Sequence, residues 1–268
     1  MTSITLKGQA AIVTGSSSGI GKAIALALGK AGANVLVNYH GHAEEGEKVA
    51  EEIRAMGVNS IAIKADVSQE NDVNEMFDQA LKTFGRIDIV ISNSGIQKDS
   101  PLVDMTLDQW NQVINVNLTG AFLCARRAAQ EFRRQGIDAS ISKAAGKLIF
   151  MSSVHEVIPW GGHCNYAASK GGMMLFMKSI SQELAPHKIR VNSIGPGAIQ
   201  TSINKEVWTD SESKEKLLEL IPYGRIGLPE DVGKVAVWLA SDEADYVNGT
   251  TIFVDGGMTL YPEFADNG

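Results

Sequence analysis

Ser153, Tyr166 and Lys170 are the residues whose types and spacing could do chemistry, within Ser152-Ser-Val-His-Glu-Val-Ile-Pro-Trp-Gly-Gly-His-Cys-Asn-Tyr-Ala-Ala-Ser-Lys170. Tyr166 and Lys170 are four positions apart, so on a helix they stand one turn apart on the same face. A free phenol titrates near ~10 and is a poor proton carrier at neutral pH. An ammonium a few Å away favours the phenolate and draws the phenol toward the working range. Ser153, thirteen residues before Tyr166, could return to the same pocket and hold a substrate oxygen. The chemistry this suggests is a Tyr acid/base, a Lys that tunes it and a Ser that orients a reacting C–O group. A packed ring beside a solvated amine has the same spacing, and a second motif near the N-terminus decides against that reading.

Positioning such groups requires strands and helices around them. The apolar run Leu148 to Met151 reads as the end of a buried strand, and the alanine-rich stretch Ala167 to Leu184 as a helix. Toward the N-terminus, Gln9 to Thr14 predicts a buried strand, followed by Gly15-Ser-Ser-Ser-Gly19-Ile-Gly21 and a helix to about Gly32. Then come a strand at Asn34 to Tyr39, a charged helix from about Ala43 to Met56, and a strand at Ser60 to Lys64. Gly57 is a natural stop for that charged helix. A helix from about Gln69 to Phe84 precedes a strand at Ile87 to Ile91, and a long helix covers Leu107 to Arg134. Beyond the Tyr-Lys helix lie a strand at Arg190 to Ile194, a polar segment from Gln200 to Leu220, a helix from Pro229 to Ala240 and a strand from Thr251 to Asp255. Strand and helix alternate throughout, which demands crossover connections and a parallel sheet covered on both faces. The expectation is an α/β fold: one Rossmann-like, doubly wound domain over residues 1–268 with about seven strands.

In such sheets ligands bind beyond the carboxyl ends of the strands, where the strand order reverses. The first turn there carries Gly15, Gly19 and Gly21, with Ser17, Ser18 and Ile20 between them. Glycine lets the backbone approach a pyrophosphate, and the helix N-terminus offers free N–H groups and partial positive charge. At a strand-to-helix junction, G-x-x-x-G-x-G reads as a dinucleotide turn.

Thr14-Gly15-x-x-x-Gly19-Ile20-Gly21, Asn93-x-Gly95, Asn117, Ser153, Tyr166-x-x-x-Lys170 and Pro196-Gly197, in this order, resemble the short-chain dehydrogenase/reductase family over nearly the whole chain. The resemblance implies NAD or NADP, metal-free hydride transfer and a homotetramer. It implies that Ser153, Tyr166 and Lys170 are catalytic, and that Asn117 holds a water linking Lys170 to solvent. Asp66 and Val67 would bracket the adenine, Asn93 and Gly95 would shape the cofactor floor, and Ile199 and Thr201 would reach the nicotinamide carboxamide beside Pro196-Gly197. Where many members have Asn-Asn-Ala-Gly, this chain has Ser92-Asn93-Ser94-Gly95.

A carboxylate ending the second strand would bond the ribose 2′-OH and repel a 2′-phosphate. Here Asn38-Tyr39-His40-Gly41-His42 carries no acid and no arginine, and Asn38 and His40 could donate weaker bonds. NADP with tolerated NAD is therefore expected. A narrower resemblance, in Ser152-Ser-Val-His155-Glu156, Ile158-Pro-Trp160, Gly195 to Asn204 and Asp255 to Pro262, is to bacterial glucose 1-dehydrogenases. It implies oxidation of the C1 hydroxyl of D-glucose to gluconolactone, with His155 and Asn204 as candidates for hydroxyl contacts beside Ser153 and Tyr166. The alternatives are a carbonyl or 3-oxoacyl thioester reductase of the same family and a non-enzymatic NADP-binding regulator. The polar segment at about 199–220 reads as a substrate lid, and Asp138 to Ala145 as an inserted surface loop far from the cofactor.

A net charge of -7 argues against a nucleic-acid partner. No apolar run reaches membrane-spanning length and no secretory leader is visible, so a small-molecule substrate and a cytoplasmic setting are expected. The two cysteines, Cys124 and Cys164, make neither a CxxC nor a metal spacing, and no metal site is expected.

Overall fold

Strands that read as unbroken apolar runs must be covered on both faces, and the computed structural model, which describes residues 4–201, 208 and 210–260, shows how. In chain order the elements are β1 (Ala10–Val13), α1 (Gly19–Lys30), β2 (Asn34–Tyr39), α2 (Ala43–Arg54), β3 (Ser60–Lys64), α3 (Glu70–Phe84) and β4 (Ile89–Ser92). They continue as α4 (Leu107–Ile114), α5 (Gly120–Gln135), β5 (Gly146–Met151), α6 (Cys164–Leu184), β6 (Ile189–Pro196), α7 (Ser211–Leu218), α8 (Pro229–Ala240) and β7 (Thr251–Val254). The strands form one parallel sheet in the order β3-β2-β1-β4-β5-β6-β7. Every residue of β1, β4, β5 and β6 is buried. One face packs Ile12, Leu36, Phe77, Phe132, Phe150, Met173 and Met177 under α3, α5 and α6. The other packs Val13, Ile24, Leu28, Val35, Ile53 and Leu239 under α1, α2 and α8. Between β1 and β4 the strand order reverses, which opens a crevice above the glycine turn.

The expected long helix is interrupted. Between α4 and α5 the backbone takes a π turn at Asn115–Thr119, which turns Asn117 into the interior. Such single-turn bulges occur frequently at functional sites. At the next element Gly120 replaces a side chain by close approach: a Cβ there would lie 2.9 Å from Val67 Cγ2.

The sheet's opposite end holds a buried polar cluster that sequence reading did not anticipate. Lys147 Nζ donates to Gln9 Oε1 at 2.9 Å and to Ser142 Oγ at 2.6 Å. Ser142 Oγ donates in turn to Asp242 Oδ1 at 2.7 Å, and Asp242 also accepts the Lys143 N–H. Burial pushes the Lys147 amine down to about 8, with Asp88 and Asp242 opposing. The 138–145 segment does lie at the end away from the glycine turn, yet it is not a simple surface loop. Ser142, Ala144 and Ala145 are buried, and the segment supplies part of Lys147's solvation shell. Asp242→Ala, which removes the anchor of that segment, is expected to destabilise the fold by about 1–3 kcal/mol in urea unfolding and to leave cofactor affinity unchanged.

Candidate active site

The glycine turn is locked from both neighbouring strands. Gly15 and Gly19 have φ of +61° and +55°, which L side chains rarely adopt. A Cβ on Gly21 would sit 2.4 Å from the Gly15 carbonyl and 2.5 Å from Asn93 Nδ2. From β4, Asn93 Nδ2 donates to the Thr14 and Gly15 carbonyls, and Thr14 Oγ1 accepts the Asn93 and Ser94 N–H groups. From β2, Asn38 Oδ1 accepts the Gly15 N–H at 3.0 Å. Ser16 Oγ donates to the Val13 carbonyl and accepts the Asn38 N–H. Ser18 caps α1 without using its hydroxyl on the first turn. The cradle that a Cβ would fill, set at the start of α1, fits a dinucleotide pyrophosphate.

Asn38 has a different role from the one expected. It is buried, and its amide nitrogen donates to the Tyr39, Ile63 and Ala65 carbonyls. That carboxamide is a strut between β2, β3 and the glycine turn, and it has no N–H left for a 2′-phosphate. His40 is exposed at the end of β2, its Nε2 3.8 Å from Asp66 Oδ2. Tyr39 packs over Gly46, where a Cβ would meet its ring at 2.6 Å. Asp66 Oδ1 accepts from the Ser68 N–H and hydroxyl, and Val67 lies buried beneath Gly120. On the far side, a Cβ on Gly19 would come 3.6 Å from Thr201 Cγ2, and Ile199 is buried beside Gly227. Pro196 ends β6, and Gly197 donates to the Val254 carbonyl. Asn204 lies outside the described residues, as does part of the 199–220 segment, of which α7 is described.

At the ends of β4 and β5 the three chemistry-bearing residues meet. Ser153 is extended, caps a 3-10 turn at Val154–Glu156 and accepts the His155 N–H at 3.2 Å. Its hydroxyl lies near enough to the Tyr166 phenol to lower that phenol's titration against the effect of burial. Lys170 Nζ is buried, donates to the Met151 carbonyl at 2.7 Å and stands 5.5 Å from the centre of the Tyr166 ring. Asn117 Oδ1 accepts the Ile96 N–H, while its Nδ2 donates to the Ile96 carbonyl and Ser169 Oγ. Gly95 runs between them: a Cβ on it would be 3.4 Å from Asn117 Oδ1 and 3.8 Å from Lys170 Nζ.

The electrostatics correct one expectation. Burial pushes the Tyr166 phenol above its ordinary value, while hydrogen bonds to Ser153 and Gln97 pull it back. Burial pushes the Lys170 amine down to about 8, and Glu156 opposes that shift. The amine therefore does not dominate the phenol in this state, because desolvation disfavours both charged forms.

Sequence reading missed the wall around Tyr166. His155 stacks on Trp160 at 4.3 Å, Trp160 stacks on His163 at 3.5 Å, and Tyr166 meets His155 and Trp160 edge-on. His163 Nε2 lies 3.2 Å from Asp99 Oδ2, and Ser100 N–H donates to the Gly162 carbonyl, pinning the loop after β4 to the loop before α6. Gln97, on that first loop, had only its place two residues after Gly95 to signal it. His155 Nδ1 meets the Ile158 carbonyl at 3.1 Å, and burial pushes its imidazole down. The neutral ring therefore carries its hydrogen on Nδ1 and keeps Nε2 as an acceptor. Among the described residues no group of His, Cys, Asp or Glu is arranged to hold a metal ion, and no helix is long and apolar enough to cross a membrane.

Residues 15–259 match the family model described as "Enoyl-(Acyl carrier protein) reductase". The chain belongs to the short-chain dehydrogenase/reductase family of oxidoreductases. It is 46% identical to 3beta-hydroxysteroid dehydrogenase 1 of Eggerthella lenta, covering 97% of this chain and 97% of that protein. It is 42% identical to Glucose 1-dehydrogenase 2 of Bacillus subtilis, covering 96% and 97%. Among solved structures, a gluconate 5-dehydrogenase from Burkholderia cenocepacia in complex with NADP and tartrate superposes with a TM-score of 0.87 at 32% identity, covering 96% and 97%. Gly21→Ala is expected to weaken binding of a nicotinamide dinucleotide, NADP or NAD, at least about tenfold in a fluorescence titration, because the added carbon displaces the turn that shapes the anion site.

Proposed function

We propose that this chain oxidises a hydroxyl on a saturated ring by hydride transfer to NADP, and that D-glucose, oxidised at C1 to gluconolactone, is its substrate. The observation that carries the reading is the Lys170 amine 5.5 Å from the centre of the Tyr166 ring, one helical turn on, with the Ser153 hydroxyl close enough to act on the phenol. A bound nicotinamide supplies the hydride acceptor. Tyr166 Oη takes the proton of the substrate hydroxyl as the C–H hydrogen leaves with its electron pair, and Ser153 Oγ holds the same oxygen in line. Lys170 offsets the negative charge on the phenol oxygen. Asn117, its side chain committed to Ile96 and Ser169 beside Lys170, holds the water that links the amine to solvent. His155 Nε2 accepts from a ring hydroxyl, and Trp160, sandwiched between His155 and His163, holds that imidazole in place. Polar groups left unpaired by an analogue that lacks the hydroxyl give such a site its discrimination.

NADP is preferred and NAD tolerated, since the end of β2 presents His40 and no carboxylate of its own to the ribose. The segment at 199–220 acts as the lid, and exposed Leu107, Trp110, Phe122 and Leu175 on α4, α5 and α6 suit assembly into a homotetramer. One observation favours a second substrate. Leu102, Val103, Val157 and Trp160 stand exposed on the two loops that flank Tyr166, an apolar rim suited to a 3β-hydroxysteroid such as the Eggerthella relative's name denotes. A 3-oxoacyl carrier-protein thioester fits less well, because Lys216 near the lid is paired with Glu212.

A steady-state screen of sugars, 3β-hydroxysteroids, ketones and acyl thioesters with both cofactors tests the reading. NADP reduction with glucose supports it, turnover only with steroid favours the second substrate, and NADP binding without any turnover points to a regulator. With the accepted substrate, Tyr166→Phe is expected to lose roughly 10²–10⁴-fold in kcat while retaining NADP affinity. Because burial holds the phenol up, the phenolate needed for oxidation grows as pH rises. Oxidation should therefore quicken through the alkaline range, and the reverse reduction should slow over the same range.

A further inference from the structure

Glu156 is a buried carboxylate that none of the steps above uses. It closes the 3-10 turn after Ser153 and is 8% exposed. Its Oε2 accepts the Ser152 hydroxyl at 2.5 Å, a length typical of an O–H bonded to a charged oxygen. Met151, the residue before Ser152, presents its carbonyl to Lys170 Nζ. Consecutive residues at the end of β5 thus hold the amine and the carboxylate. The turn packs along α6, where a Cβ on Gly171 would lie 3.9 Å from the Glu156 carbonyl. An ammonium taken from water persists as an ion only where an opposite charge or good acceptors accompany it.

We propose that Glu156 is a positioning residue for the reaction: its carboxylate is the counter-charge that keeps the Lys170 amine protonated inside the site. The inference rests on the reading of Tyr166 as the proton carrier. The direction of the shifts agrees, since Glu156 opposes the fall that burial imposes on Lys170. The other titratable groups around the pair are Tyr166 on α6, His155 on the same turn as Glu156, His163 just before α6, and Asp99 on the loop after β4, paired with His163. Asp108 on α4 is exposed and bonded to Gln112, and the π turn carries no titratable side chain. On β6 the only titratable residue, Arg190, donates to the Leu239 and Ser241 carbonyls at the opposite end of the sheet.

Glu156→Gln keeps an acceptor for Ser152 and removes only the charge. The rising limb of kcat/KM for oxidation against pH is expected to move up by about one pH unit, with kcat at neutral pH falling roughly tenfold and recovering at alkaline pH. KM and NADP affinity should stay within about twofold, and Glu156→Asp should return the limb toward its original position. An unmoved limb, or a rate lowered by the same factor at every pH, overturns the proposal. Wild-type turnover, measured first, separates failure of this inference from failure of the Tyr166 reading. If Glu156→Gln does not fold, a carbon-13 titration of the wild type decides. A Glu156 carboxyl resonance that inflects at the Lys170 midpoint supports the coupling, and one that ignores it refutes the coupling.

Discussion

A buried ammonium beside a half-buried phenol, at the carboxyl end of a parallel sheet, is the constraint on which the rest of the site depends. Removing Lys170 from water costs several kcal/mol unless its N–H groups find acceptors and its charge finds a partner. The Met151 carbonyl and the Tyr166 ring answer that need by contact, and the Glu156 carboxylate by its charge. Each is placed by a different element, so β5, the turn after it and α6 must close together. Small residues permit the closure: Gly95 passes beside Lys170, and a Cβ on Gly172 would come 3.1 Å from Leu118 on the π turn.

The cofactor end obeys a matching constraint. A glycine turn that must admit a pyrophosphate cannot be held by its own side chains, so its neighbours hold it. Asn38 clasps it from β2, and Asn93, itself seated on the Thr14 hydroxyl at the end of β1, clasps it from the end of β4. Because Asn93 and Gly95 share one short loop, the backbone that fixes the glycine turn also runs past Lys170 and Asn117. In the proposed reaction, cofactor and proton carrier would thereby be set by the same few residues, so that hydride and proton leave one substrate carbon and its oxygen together.

Much of this was legible in the sequence for a simple reason. Strands covered on both faces have to be apolar throughout, and helices with a strong apolar stripe announce their limits. The strand at Asn34–Tyr39 and the helix at Pro229–Ala240 fall where periodicity puts them. The π turn does not, because an i→i+5 bond leaves no repeat to read. Asn38 was placed on the right strand end but given the wrong partners, since the direction of one carboxamide depends on carbonyls from β3. Gln97, Glu156, and the Asp99–His163 contact are tertiary meetings of loops, without a spacing of their own. Ser142 was hidden for a related reason: only the fold reveals that Lys147, on a central strand, needs an acceptor from the loop before it.

The most direct measurement of the central claim is an ultraviolet titration of tyrosinate, with the Tyr166→Phe spectrum subtracted to leave one phenol. Carried out in the wild type and in Lys170→Met, both saturated with NADP, it reads the influence of the amine on the ring. The account predicts a midpoint higher in Lys170→Met by at least about one pH unit. Equal midpoints in the two proteins would contradict it.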